Sequence, residues 1–196
     1  MKPDYKGTKK HVLKLLKTDL DKNLHFHGYN HTPDVLEAVE RLAVMEGINA
    51  DEEILMLRTG ALYHDTGFLY QSKGHEAISI EIAREKLPRF YYTPTQIETI
   101  AGIIQATQLP QNPKNHLEQI ICDADLDNLG REDFYVKTHL LRLELAEKGI
   151  VKTPLEWYRG LIPFLENHNY FTESAKKLRQ AKKEQHIKEL KELVRE

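Results

Sequence analysis

Apolar residues recur every three or four positions along almost the whole chain, and no stretch alternates as a half-buried strand does. The spacing predicts a first helix over residues 9–20, with Val12, Leu13, Leu16 and Leu20 on one face. Residues 21–30 are polar, include Gly28, and predict a loop. Thr32-Pro33-Asp34 predicts a helix start, with Thr32 as N-cap, Pro33 at the first helical position and Asp34 favourable to the dipole. That helix turns Val35, Val39, Leu42 and Ala43 inward and stops at Gly47. Asp51 is expected to cap the next helix, whose stripe runs Ile54, Leu57, Ala61 and then His64, with Asp65 in its last turn and Gly67 ending it. Further helices are predicted over 73–87, from Thr93-Pro94, over 117–129 and over 131–148, and a shorter one from Thr153-Pro154, kinked at Pro163. Thr172 caps a charged helix to the end of the chain. Its stripe (Ala175, Leu178, Ile187, Leu190, Val194) is broken by Lys182-Lys183, so it is expected to pack only in part, leaving a solvated face or a surface for a partner or a second copy. The expected fold is all-α: one helical bundle over residues 1–170 with a charged C-terminal helical extension over 171–196.

Composition narrows the function classes. The 196 residues suffice for one full core and are short for two. A net charge of −2 provides no field for nucleic acid or an anionic membrane surface. No apolar run reaches the roughly 20 residues of a membrane span, and Met1 to Lys6 lack the apolar stretch of a signal peptide. Cys122 is the single cysteine, so no internal disulfide forms and a reducing, cytoplasmic setting is expected.

The candidate chemistry lies in three segments: His25 to Leu36, Leu62 to Gly67, and Ile121 to Asp127. His64 continues the inward stripe of its helix, and Asp65 follows it at a helix C-terminus, where a carboxylate opposes the macrodipole. His31 stands at a rigid helix entrance. Asp125 is four residues after Ile121, at the edge of an inward stripe, whereas Asp123 points roughly the other way and Asp127 is placed no worse than Asp125. Burying such groups together costs several kcal/mol unless they are paired or coordinate a cation. A divalent ion held by imidazole nitrogens and carboxylate oxygens answers that cost for all of them.

The order His … His-Asp … Asp, set in Asn-His-Thr-Pro-Asp-Val-Leu and Asp-Ala-Asp-Leu, resembles the HD superfamily of metal-dependent phosphohydrolases over about residues 24–130. The resemblance implies His31, His64, Asp65 and Asp125 as metal ligands, deciding for Asp125 over Asp127. It implies a water acidified by the ion, with Asp65 also orienting it. His27, four residues before His31, matches a histidine that protonates the leaving oxygen in cyclic-nucleotide phosphodiesterases of the superfamily. His75 in Gly74-His75-Glu76 matches a second-metal ligand of binuclear relatives. Those relatives carry another histidine near residues 103–107, where this chain reads Ile-Ile-Gln-Ala-Thr, so one ion is expected rather than two. Manganese, iron, cobalt, nickel, magnesium and zinc all suit a mixed nitrogen and oxygen shell. Lys73 and Arg89 are candidates for substrate phosphate. Trp157 and Tyr158 read as packing, and Cys122 as core.

The expected activity is hydrolysis of a phosphomonoester or phosphodiester of a small molecule, a nucleotide first among them. A di-iron oxygenase and a metal-bound nucleotide sensor without turnover are the alternative classes. Asp123→Ala is expected to leave metal and activity nearly intact.

Overall fold

The computed structural model describes residues 1–150 and 152–195. Nine helices carry the fold, and no strand occurs among the described residues: α1 (Tyr5–Asp19), α2 (His31–Met45), α3 (Asp51–Tyr63), α4 (His75–Lys86), α5 (Pro94–Ala106), α6 (His116–Asp125), α7 (Phe134–Glu147), α8 (Pro154–Asn167) and α9 (Ala181–Leu193). None is long and apolar enough to cross a membrane. The all-α prediction holds.

The predicted stripes meet in one main core. Val12 and Leu16 of α1, Leu42 of α2, Leu57 and Leu62 of α3, Ile100 and Ile104 of α5, and Ile120 and Ile121 of α6 are at most 2 % exposed. Helices α2, α3, α5 and α6 form its centre, with α1 and α4 packed on the outside. A smaller cluster of Leu129, Phe134, Leu165 and Leu190 joins α7, α8 and α9.

Helix ends depart from the predictions for identifiable reasons. Thr93 and Thr153 close reciprocal capping boxes with Gln96 and Glu156, as Ser/Thr-x-x-Gln/Glu sequences do. Thr32 is no cap: α2 begins at His31 because the His31 N–H reaches the Gly28 carbonyl, so the turn through 28–31 already winds the chain. Asp51 is the first residue of α3 rather than its cap. Gly67 does not end α3 by a left-handed turn. The helix stops at Tyr63 and a 3₁₀ turn follows over Thr66–Leu69. Gly67 is needed because a Cβ there would lie 2.0 Å from the His75 carbonyl oxygen, so the start of α4 packs directly on this turn. Helix α6 ends at Asp125, and residues 127–130 form a separate 3₁₀ turn.

The C-terminal segment packs on the body more closely than its sequence suggests. A π-turn over Lys176–Gln180 precedes α9, and the Arg179 backbone crosses Gly130, where a Cβ would meet the Arg179 carbonyl oxygen at 2.3 Å. The Lys182-Lys183 pair that breaks the apolar stripe divides its work. Lys182 reaches Glu132 at 2.8 Å on the surface. Lys183 is 2 % exposed and donates to the His168 carbonyl, with its apolar stem along the helix interface. His186 stacks on Phe134 with ring centroids 4.4 Å apart and its Nδ1 lies 3.0 Å from the Leu129 carbonyl oxygen.

Candidate metal centre

Three elements deliver the central side chains. His31 is the first residue of α2, and its imidazole is 5 % exposed. His64 follows the last turn of α3 and is wholly buried, because the 3.6-residue period carries it inward beneath Ala61. Asp65 falls where α3 gives way to the 3₁₀ turn, which leaves its side chain beside His64 rather than on the far face. Asp125 closes α6.

Their donor atoms converge. The Nε2 atoms of His31 and His64 are 3.4 Å apart, and Asp65 Oδ2 lies 3.4 Å from each. Asp125 Oδ1 is 3.1 Å from His31 Nε2 and 3.5 Å from His64 Nε2. Metal–donor bonds of ~2.0–2.2 Å place neighbouring donors about 3–3.5 Å apart, so the mutual spacings of His31, His64 and Asp65 are compatible with one divalent ion, and Asp125 lies beside the two imidazoles. His64 Nδ1 donates to the Ala61 carbonyl at 2.8 Å, which turns Nε2 to the centre. Asp65 Oδ2 is buried with no hydrogen-bond partner among the described residues. An orphaned buried carboxylate oxygen is costly without a cation, and a metal supplies one.

Charges in the centre are out of their ordinary ranges. Burial alone would raise the Asp65 carboxyl, but the His64 ring, the His75 hydrogen bond and the His31 ring hold it well below the usual carboxylate range. Burial would likewise raise the Asp125 carboxyl, but the hydrogen bonds and charge of His31 and His64 hold it below the usual carboxylate range. Burial disfavours the charged His64 ring, yet the Asp65 and Asp125 carboxylates push it up to about 9. The His31, His64 and Asp65 donors are of the types that hold a divalent ion.

Around this centre opens a cavity of about 650 Å³. Asp65, Asp125, His27, His75 and Lys73 line one part, and Leu129, Leu141, Trp157, Leu161 and Phe164 line the apolar remainder. His75 is the first residue of α4. Its Nδ1 donates to the Ser72 carbonyl at 2.9 Å and its Nε2 lies 3.1 Å from Asp65 Oδ1. Lys73 is exposed at the cavity edge. Arg89 is not brought to the site: it lies on the 3₁₀ turn Leu87–Phe90, 69 % exposed, 3.7 Å from Glu85, and does not line the cavity. His116 pairs with Glu46 at 3.2 Å instead of joining the centre. Trp157 donates to Thr138 Oγ1 at 3.0 Å and borders the cavity, while Tyr158 packs edge-on against Tyr135.

The neighbours of Asp125 are spoken for. Asp123 turns to the opposite side, where it accepts from the Phe171 and Thr172 backbone N–H groups, each at 2.8 Å, and from Thr172 Oγ1 at 2.7 Å. Asp127 accepts a forked pair from Arg179 at 2.7 and 3.0 Å and a third bond from Arg41 at 2.8 Å.

His27 is better placed than its polar loop suggests, and the residue responsible is one that sequence reasoning missed. Glu144 of α7 is 1 % exposed, and its Oε1 accepts from His27 Nδ1 at 2.7 Å. Its Oε2 accepts from the Phe26 and His27 backbone N–H groups, both at 3.0 Å. Burial would raise this carboxyl, but the bonds from His27 and the neighbouring backbone hold it below its ordinary value. The only signal in the sequence was position: Glu144 falls three residues after Leu141 on the inward side of α7, where a carboxylate needs a partner.

Comparison with known proteins bears on this geometry. The sequence model of the HD domain family matches residues 28–127. No curated protein matches the sequence. Among solved structures, the chain is similar to a predicted HD superfamily hydrolase from an uncultured Thermotogales bacterium, at 15 % identity and TM-score 0.65, over 98 % of this chain and 92 % of that one. It is similar to Bacillus subtilis YpgQ, crystallised in complex with ADP, at 14 % identity and TM-score 0.67, over 97 % and 95 %. It is similar to Lin1889 from Listeria innocua at 18 % identity and TM-score 0.64, over 97 % and 95 %. These likenesses establish a shared fold. The family match spans just over half the chain and contains His31, His64, Asp65, His75 and Asp125. On that match, the protein belongs to the HD domain family.

Proposed function

We propose that this protein hydrolyses a phosphate ester of a small molecule, with nucleotides the first class to test, using one divalent ion held by His31, His64, Asp65 and Asp125. The carrying observation is Asp65 Oδ2, buried without a hydrogen-bond donor and 3.4 Å from two imidazole nitrogens. When bound, the ion supplies an acidified water and neutralises charge on the phosphoryl oxygens. The chain's own groups do the rest. His75 holds Asp65 Oδ1 at 3.1 Å, fixing the orientation of a carboxylate that can steer the water. Lys73 at the cavity edge adds a positive charge for the phosphate, a task for which Arg89 is too distant from the cavity lining. His27 lines the same cavity on the far side of its Glu144 bond and is suited to protonate the leaving oxygen. One ion is favoured because residues 103–107 bring no further ligand: Ile103, Ile104 and Ala106 are buried in the core, and Thr107 Oγ1 donates to the Ile104 carbonyl. YpgQ, of similar fold, was crystallised with ADP, which supports a nucleotide as ligand.

The test is turnover of nucleoside monophosphates, cyclic nucleotides and p-nitrophenyl phosphate with each of the six metals, alongside metal analysis. Release of phosphate or opening of the cyclic ester with about one ion per chain is the expected result. No turnover under any combination, or two irons per chain with a di-iron absorbance band, overturns the reading.

A further inference from the structure

We infer that Glu144 is a positioning residue that holds His27 with its Nδ1–H tied back and its Nε2 presented to the bound ester. This rests on the hydrolase reading for its consequence in turnover, but its structural part stands alone. Three constraints define the His27 ring. Glu144 Oε1 takes the Nδ1–H at 2.7 Å, and a carboxylate that also accepts two backbone N–H groups has only acceptor capacity to offer. Phe68 lies flat against the imidazole, with centroids 4.3 Å apart and planes 17° from parallel. Phe26 meets it edge-on at 4.8 Å. A ring flip would place a carbon against a buried carboxylate and lose the short bond. The remaining nitrogen, Nε2, has no hydrogen-bond partner among the described residues, and His27 lines the cavity beside Asp65 and His75.

Glu144 is 117 residues from His27 in the chain and reaches it from another helix. It is itself anchored to the loop before α4 through Lys148, whose Nζ is 3.6 Å from Glu144 Oε1 and 2.6 Å from Ser72 Oγ. In the reaction, water oxygen bonds to phosphorus as the bond to the leaving oxygen breaks. The doubly protonated His27 ring gives its Nε2 proton to that oxygen, which yields the alcohol and leaves the neutral ring with Nδ1–H on Glu144. The proton released by water goes to solvent, from which Nε2 is protonated again. The Nδ1–H stays on Glu144 throughout, so only Nε2 exchanges a proton with substrate. A carboxylate behind a histidine fixes the tautomer in this way without touching the reacting atoms.

The experiment compares Glu144→Gln with wild type on two leaving groups and reads the His27 tautomer by nitrogen NMR of the magnesium-loaded protein. An alcohol leaving group needs the proton, whereas p-nitrophenolate leaves without it. Turnover number on a nucleoside monophosphate should fall about 100-fold and on p-nitrophenyl phosphate by less than about threefold, with KM and metal content unchanged. In its neutral form the wild-type ring should keep its proton on Nδ1, and the variant should shift toward Nε2–H. Equal losses on both substrates, or no loss on either, overturn the inference, as does a wild-type ring with a bare Nδ1. If wild type turns over no ester, the hydrolase reading fails by itself and the tautomer comparison still decides the role of Glu144. Should Glu144→Gln not fold, Glu144→Asp keeps the charge but withdraws it by one methylene, and the same leaving-group selectivity is expected.

Discussion

Asp125 and Asp127 are two residues apart, and they make opposite kinds of centre. Asp127 is surrounded by cations the chain supplies: Arg41 and Arg179 hydrogen-bond to it, and Arg131 lies 3.7 Å away. That node ties α2 and the 3₁₀ turn after α6 to the π-turn of the C-terminal segment. Asp125 Oδ1 lies against the His31 and His64 imidazoles, and the chain supplies no Lys or Arg partner among its described ion pairs. A carboxylate whose partners are built in maintains the fold. The carboxylates without a Lys or Arg partner are where the proposed ion would bind.

Removing a member of each centre should separate the two. The largest effect is expected at the histidine end: His64→Ala or Asp65→Ala should lower metal content to background and turnover by at least ~10³-fold. In the metal-free protein Asp65→Ala also takes the partner from His75 and from the two imidazoles, so some loss of stability is expected beside the loss of metal, and metal bound per folded molecule carries the comparison. Unchanged metal content in Asp65→Ala would erase the distinction.

The reverse pattern belongs to the other carboxylates. Asp127→Ala strands two arginines and should destabilise by about 3–4 kcal/mol in urea unfolding, with metal bound per folded molecule unchanged. Asp123→Ala should lose about 2–3 kcal/mol for three buried bonds to Phe171 and Thr172. Metal content and activity of the folded variant are expected to stay nearly intact, because the side turned away from the site is where the C-terminal segment is anchored.

The smallest effect sharpens the comparison within the C-terminal region. His168 is half-buried beside Lys183, and first burial and then the lysine charge push its imidazole down to about 4 from 6.5. A base with a lowered folded pKa binds its proton first in the unfolded chain. Stability from keeping it neutral is thus complete above pH 6.5 and is lost as pH falls toward 4. After discounting for its partial exposure, about 1–2 kcal/mol should disappear across that window. His168→Phe should flatten the pH dependence of urea unfolding relative to wild type, and an unchanged slope would exclude His168 as its source.

Legibility followed the range of the cause. Val35, Leu57, Ile100 and Ile121 announce inward faces because burial of a stripe is written at helical spacing. His64 continues such a stripe, and its burial could be read directly. Gly67 was misread because its reason is a backbone that arrives from α4. Lys183 broke the pattern of α9, and its burial depends on a carbonyl supplied by His168. Arg89 seemed near the site because Asp65 is near in the chain, but α4 lies between them and carries it away.

What the sequence by itself determined is the all-α class, the inward faces of its helices and the ordered set His31, His64-Asp65 and Asp125, since periodicity and local motif are properties of neighbours along a chain. What only the tertiary structure decided is which nitrogen of each imidazole faces the centre, which two of three nearby aspartates are satisfied elsewhere, and that Glu144 holds His27. Those depend on hydrogen bonds between groups up to 117 residues apart. No local spacing encodes them, because they form only when the helices pack.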